Sequence, residues 1–308
     1  MNLNFNLVWF EDEDEVIESY EPVIRGLLAQ YNLVPNIIKY GSDQYSSKVL
    51  ATADLILADY DLGTKVTSVD IVDHIRGNKI ITDVLFYSSQ EVNMINSIKN
   101  ASMPMEGVFY EKRDYIILPA KIDKLIQRII RRSQTVENLR GIIMEYTAIF
   151  DKKIYEHIQR LCVEPSMLSE CLKHINTNIA QDFNKKLCKS CVNAISEKEC
   201  DHSKGYSRKE ISNPLEVGDF DSAVKCRILA NLLKKINKPK YKDFFKEYDN
   251  EIIQYRNAFA HEQSDENRIY IKQLKAYENV DEKLFLKIRA SISKYMGLLN
   301  EIKDINIK

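Results

Sequence analysis

Glycine and proline are scarce, at 9 and 7 of 308 residues. That scarcity disfavours loop-rich all-β folds and repeat fibres. Long apolar runs are missing too. No stretch of 18 apolar residues exists, so no membrane-spanning helix is predicted. The apolar run at residues 3–10 is too short for a signal peptide, and no basic residue precedes it. The expectation is an intracellular, cytoplasmic protein. Its six cysteines are then thiols or metal ligands rather than a disulfide framework. An excess of either charge is also lacking, because 44 basic residues meet 45 acidic ones. Neither a strongly basic nucleic-acid binder nor an acidic tail follows from that total.

The composition is that of a globular chain, 44% hydrophobic and 29% charged. At roughly 100–200 residues per domain, the length suggests two domains. Charge divides the same way. Residues 1–135 carry 14 basic and 19 acidic side chains, a net of −5, and residues 136–308 carry 30 and 26, a net of +4. The positive half suits either a phosphate backbone or a solvated helical surface.

The first half alternates strand and helix. Strands are predicted at residues 3–10, 34–40, 54–58, 80–87 and 107–110, and helices at 16–31, 45–53, 68–76, 92–99 and 122–132. Five β–α units in about 135 residues imply a parallel sheet with helices on both faces. A binding crevice is then expected at the carboxyl ends of the strands. Glu11 and Asp12 end the first strand, Asp59 follows the third, Ser88 and Ser89 the fourth, and Lys112 the fifth. Clustered carboxylates repel one another, and a hard cation such as Mg²⁺ accepts oxygen ligands. A carboxylate beside Mg²⁺ and Lys⁺ can attack a phosphoryl donor.

This constellation resembles the receiver domain of two-component response regulators, over about residues 3–133. The acidic pair Glu11-Asp12, the segment DLILADYDLG with Asp59, then Ser88 and Lys112 carry it, with spacings of 29 and 24 residues between the last three. The resemblance implies a flavodoxin-like five-stranded fold with Asp59 as phosphoacceptor. Glu11, Asp12, Asp59 and the backbone carbonyl of Asp61 would hold Mg²⁺. Ser88 and Lys112 would bind phosphoryl oxygens, and Phe109 matches the aromatic switch position. A histidine kinase or phosphotransfer protein is the implied partner. Arg113 departs from the pattern, standing where receivers usually have proline. A degenerate receiver that keeps the fold without accepting phosphate is the alternative.

The second half is predicted to be an α-helical bundle. Helices are expected at residues 135–161, 167–187, 220–236, 241–260 and 284–302, with a strand signal only near 268–271. The helical pattern hardly pauses after residue 132, so a continuous helix near 122–160 is expected to join the halves. The domains are accordingly placed at 1–134 and 135–308. The fourth helix carries Tyr255-Arg256-Asn257-Ala258-Phe259-Ala260-His261. Arginine supplies permanent charge for a phosphate, and histidine transfers protons near neutrality. Together they suit metal-free RNA cleavage, although five residues apart they sit about 140° apart on an ideal helix. A capping histidine beside a surface arginine is the other reading.

The order Arg, polar residue, three residues, His resembles the RNxxxH motif of the HEPN superfamily, over roughly residues 140–305. It implies that Arg256 and His261 are catalytic and that Asn257 shapes the site. It also implies a homodimer and a ribonuclease of stress or antiviral systems. No helix-turn-helix or basic recognition helix points to DNA. The combined expectation is a response regulator whose phosphorylation on Asp59 controls a metal-independent ribonuclease. The alternative is a non-catalytic, phosphorylation-controlled dimerisation or docking module. A Cys-rich insertion near 188–217 holds Cys188, Cys191, Cys200 and His202, four soft ligands that can close a structural Zn²⁺ site.

Overall fold

The computed structural model describes residues 3–41, 45–63, 67–100, 106–179, 213, 217–218, 220–261 and 268–305, with the backbone but not the side chain of His74. The chain divides into two compact units. One comprises residues 1–142 and 280–289, and the other comprises 143–279 and 290–308. No helix among the described residues is long and apolar enough to cross a membrane.

The first unit is a doubly wound α/β fold. Strands β1 (Asn4–Phe10), β2 (Val34–Tyr40), β3 (Leu55–Asp59), β4 (Asp83–Ser88) and β5 (Val108–Lys112) form one parallel sheet, in the order β2-β1-β3-β4-β5. Five helices intervene: α1 (Asp14–Gln30), α2 (Ser47–Ala51), α3 (Ser68–Gly77), α4 (Glu91–Asn100) and α5 (Ile117–Arg132). The flavodoxin-like arrangement expected from the alternating pattern is therefore present. Strands β3 and β4 are buried at every position, as their continuous apolar character requires. Strand β2 lies at the edge, where Pro35 is tolerated because one side of the strand needs no donors.

Side-chain alternation sorts the sheet into two cores. Leu7, Trp9, Leu55, Leu57, Leu85 and Tyr87, with Phe109 against them, pack on Ile24 and Leu28 of α1 and on Ile122 and Ile126 of α5. Val8, Phe10, Ile56, Ala58, Val84 and Phe86, with Val108 against them, pack on Val72 and Ile75 of α3 and on Met94 of α4. Each fully buried apolar side chain contributes roughly 1.5–3 kcal/mol, so two filled faces stabilise the sheet from both sides. The chain leaves β1 toward β2 on one side and returns to β3 on the other. The switch point thus lies between the carboxyl ends of β1 and β3.

The expected continuous helix at 122–160 is instead two helices, α5 and α6 (Val136–Leu161). The Ser133 hydroxyl donates to the Ile130 carbonyl at 2.7 Å, and the Asn138 amide donates to the Ser133 carbonyl at 2.9 Å. Short polar side chains that compete for backbone groups break a helix in this way.

The second unit is mainly helical. It holds the C-terminal part of α6, α7 (Pro165–His174) with a π-helical turn at Ile175–Ile179, and α8 (Ser222–Lys235). Beyond these come α9 (Phe244–Tyr248), α10 (Gln254–His261) and most of α11 (Glu282–Ile302) after residue 289. The helix expected at 241–260 is split. A 3₁₀ turn at Pro239–Tyr241 precedes α9, and a π-helical turn at Asp249–Ile253 separates α9 from α10. A small hairpin of β6 (Arg268–Ile271) and β7 (Ala276–Asn279) follows, of which the sequence signalled only the first strand. An aromatic cluster centres the core. Tyr248 lies 6.2 Å from Phe150, 6.1 Å from Phe244 and 5.0 Å from Tyr295, centroid to centroid.

Candidate functional site

In the first unit the candidate site is the carboxyl edge of β1, β3, β4 and β5. Period-two alternation decides which residues meet there. Glu11 and Asp59 continue the row of Trp9 and Leu57, on the α1 and α5 face. Tyr87 lies in that row, paired in register with Asp59. Arg113 continues the row of Phe109. Its backbone N–H donates to the Ser88 carbonyl at 2.9 Å, which extends the β4–β5 pairing one residue past Lys112.

Two linked groups result. In the first, the indole N–H of Trp9 donates to the Tyr87 hydroxyl at 2.5 Å, and that hydroxyl donates to Glu11 Oε2 at 2.6 Å. Glu11 Oε1 accepts the Glu13 backbone N–H at 3.0 Å. In the second, Arg113 Nη1 lies 3.2 Å from Asp59 Oδ2 and 3.2 Å from Glu13 Oε1. Burial raises the Glu11 carboxyl above its usual range, against the pull of its two hydrogen bonds. Burial, then the neighbouring Glu11, pushes Asp59 up to about 7, against the pull of Arg113. The Ser68 hydroxyl donates to the Asp59 carbonyl, which ties the start of α3 to the end of β3.

The other expected residues lie around this centre. Asp12 is exposed, with its carboxylate against Gly63, whose φ of +63° suits glycine; a Cβ there would stand 2.8 Å from Asp12 Oδ2. Asp61 is exposed, and its N–H donates to Asp59 Oδ1 at 3.4 Å. Ser88 is buried, but its hydroxyl accepts the Gln90 N–H at 3.0 Å. Lys112 is exposed and pairs in register with Ser88, one step out of the Asp59 row. Phe109 is half-buried under Arg128 and Lys121, whose charged groups lie 4.8 and 5.9 Å from its ring centre. The cation that meets Asp59 is therefore Arg113. Tyr87 and Trp9 complete the site, and neither was expected from the sequence.

The carboxylates do not assemble as a metal cage. Among the described residues no group of three or more His, Cys, Asp or Glu side chains is disposed to hold a metal ion. Both Glu11 oxygens accept hydrogen bonds, and Asp59 faces a guanidinium. In this arrangement the Glu11 and Asp59 oxygens that the resemblance assigns to Mg²⁺ are engaged by donors of the protein itself. Cys188, Cys191, Cys200 and His202 lie outside the described residues. Cys162, Cys171 and Cys226 are buried thiols.

In the second unit the candidate site is the outer edge of α10. Tyr255, Ala258 and Phe259 are buried on one side of this helix. The Tyr255 hydroxyl donates to the Glu278 carboxylate at 3.0 Å, which fastens α10 to β7. The opposite side carries Asn257, Ala260 and His261, all exposed, with Arg256 half-buried beside them. Asn257 and His261, four apart, share a face. Arg256 does not share it, but its Nη1 donates to Asn257 Oδ1 at 2.9 Å. Asn257 is thus bonded to Arg256 and shares a face with His261. A π-helical turn directly precedes this helix, a device that recurs at functional positions.

His157 is different in kind. It is buried, and its Nε2 lies 2.8 Å from the Leu299 carbonyl, the environment of a packing histidine.

No protein-family model matches the chain, and no curated protein matches it either.

Proposed function

We propose that this chain is a two-unit signalling protein, in which a receiver-like unit with Asp59 as acceptor controls a HEPN-like, metal-independent ribonuclease. The observation that carries the output is the exposed edge of α10, where Arg256 is bonded to Asn257 and Asn257 shares a face with His261. RNA brings its own nucleophile, the 2′-hydroxyl. In the proposed step this oxygen attacks the adjacent phosphorus, and the 5′-oxygen leaves and takes a proton from solvent. His261 takes the proton from the 2′-hydroxyl, and Arg256 holds the phosphoryl oxygens as charge grows on them. The products are a 2′,3′-cyclic phosphate end and a 5′-hydroxyl end. An exposed edge also suits pairing with a second copy, so a homodimer belongs to this proposal.

On the input side, Asp59 would take a phosphoryl group from a phosphohistidine of a kinase or phosphotransfer protein. One Asp59 oxygen bonds to phosphorus as the imidazole nitrogen leaves. The buried, cation-paired carboxylate at the switch point supports that reading.

The test is cleavage of a mixed RNA pool by the full chain with EDTA present, beside His261→Ala and Arg256→Ala. The expected result is cyclic-phosphate ends from the wild type and a loss of at least about a hundredfold in either variant. Equal cleavage by all three would remove the ribonuclease reading. The same assay with Asp59→Asn reads the control.

A further inference from the structure

We propose that Arg113 takes the place of a divalent cation in the acidic pocket of the first unit, giving the buried Asp59 a counter-charge from within the protein. The inference rests on the receiver-like reading of that pocket. Where such a pocket is built around a metal ion, its carboxylates converge on open space. Here Asp59 and Glu13 meet a side chain, while Glu11 is bonded to Tyr87 and the Asp12 carboxylate lies against Gly63. Arg113 Nη1 stands 3.2 Å from Asp59 and 3.2 Å from Glu13, so one guanidinium bridges a buried and an exposed carboxylate. The Asp59 side chain is 5% exposed and that of Arg113 is 21% exposed, so the pair is held largely away from water. Glu11, the remaining buried acid, is satisfied by Tyr87 and by the Glu13 N–H rather than by a cation. Every buried carboxylate oxygen named here thus has a donor from the protein.

The position of Arg113 is fixed by the fold. Its N–H continues the β4–β5 ladder, and strand alternation aims it at the Asp59 row. A guanidinium is always charged and cannot be diluted away, so it holds Asp59 at any divalent concentration. It also offers several N–H donors in a plane, which match the oxygens of a carboxylate or of a phosphoryl group. On the proposed function, Arg113 is a positioning residue for the phosphoryl oxygens, in place of the metal and of Lys112. A dianionic phosphoryl group on Asp59 would draw Arg113 away from Glu13, the more exposed of its two partners.

The chain has one tryptophan, Trp9, and it reports directly on this pocket through Tyr87 and Glu11. Wild type, Arg113→Ala and Arg113→Ala/Asp59→Asn would be titrated with MgCl₂ from zero to about 10 mM, following Trp9 fluorescence and the thermal midpoint of the full chain. The wild type should give the same midpoint in EDTA and in Mg²⁺, with no saturating fluorescence change. Arg113→Ala should melt several degrees lower in EDTA and regain at least half of that loss in Mg²⁺, with an affinity at least about tenfold above the wild type's. The double variant, with one charge fewer, should recover stability without Mg²⁺. Saturable Mg²⁺ binding to the wild type below about 1 mM overturns the proposal. An Arg113→Ala chain as stable as the wild type and indifferent to Mg²⁺ overturns it too. Should Arg113→Ala not fold, the wild-type titration and Arg113→Lys, which keeps the charge and should stay Mg²⁺-independent, decide the matter. None of these readouts involves RNA or phosphorylation, so their failure is distinct from failure of the proposed function.

Discussion

Removing one oxygen atom in Tyr87→Phe tests whether the buried chain Trp9–Tyr87–Glu11 holds the first unit together. The hydroxyl does two things at once: it accepts the Trp9 indole N–H at 2.5 Å and donates to Glu11 Oε2 at 2.6 Å. All three residues are 1% exposed. Phenylalanine fills the same space, so the cost is polar rather than steric. A hydrogen bond to an ionised carboxylate is worth about 1.5–3 kcal/mol, and a buried N–H left without a partner costs about 1–3 kcal/mol. Water could relieve part of this, so the sum is ~3 kcal/mol rather than the extreme. With a urea slope of about 2 kcal/mol/M, the midpoint should fall by about 1.5 M. The assay is urea unfolding followed by Trp9 fluorescence, which reports on this unit alone because the chain has no second tryptophan. A double-mutant cycle with Glu11→Ala isolates the pair, and a coupling of about 1.5–3 kcal/mol is expected. A midpoint shift under about 0.3 M, or a coupling near zero, would refute the reasoning.

Two further outcomes concern the helical unit. Burial lowers the His157 pKa below its ordinary value of about 6.5, so as pH falls through that value the unfolded chain takes up a proton that the folded chain refuses. Stability should therefore fall from about pH 6.5 downward, by at most about 1.4 kcal/mol per pH unit, and His157→Gln should remove that slope in thermal melts followed by circular dichroism. Lys225 is buried with its ammonium 2.7 Å from Asp151, whose side chain is 25% exposed. Lys225→Met should cost ~2 kcal/mol by stranding that carboxylate, and Lys225→Met/Asp151→Leu should recover at least half, as thermal melts of the three chains would establish.

The alternation of apolar runs and amphipathic stretches made the parallel sheet legible, because a strand buried on both faces has no polar residue to hide. DLILA at residues 54–58 reads as an interior strand for that reason, and it lies between β1 and β4. The break between α5 and α6 was not legible. Residues 131–135 are polar but contain neither Gly nor Pro, and the side-chain bonds of Ser133, Thr135 and Asn138 that mark the break depend on local geometry. Nor was the π-helical turn at Asp249–Ile253, since one extra residue in a turn leaves the hydrophobic pattern almost unchanged. The hairpin's second strand, Ala276–Asn279, is four largely polar residues and pairs through backbone groups that composition does not reveal.

The acidic pocket shows where residue type stops being informative and parity begins. Lysine at the end of the fifth strand is the expected partner of Asp59, and Lys112 is indeed the last residue of β5. A strand shifts every side chain to the opposite face at each step, so the choice between Lys112 and Arg113 depends on register alone. The buried rows could have supplied that register. Leu57 and Asp59 are two apart, and so are Leu85 and Tyr87; counting in twos from Phe109 passes through Glu111 to Arg113 and never reaches Lys112. The same count separates Asp59 from Ser88 and joins it to Tyr87. What the count does not supply is which row faces α1, and that is settled by packing against Ile24 and Leu28. In α10 the limit is of another kind. Spacing alone sets Arg256 and His261 apart by 140°, but a side-chain bond ties Arg256 to Asn257, which shares a face with His261. Helical phase gives the direction of a Cα–Cβ bond, whereas an arginine's charge sits several torsions beyond it. A motif that looks inconsistent on a helical wheel is therefore compatible with one site whenever a long side chain has a short polar neighbour to hold it.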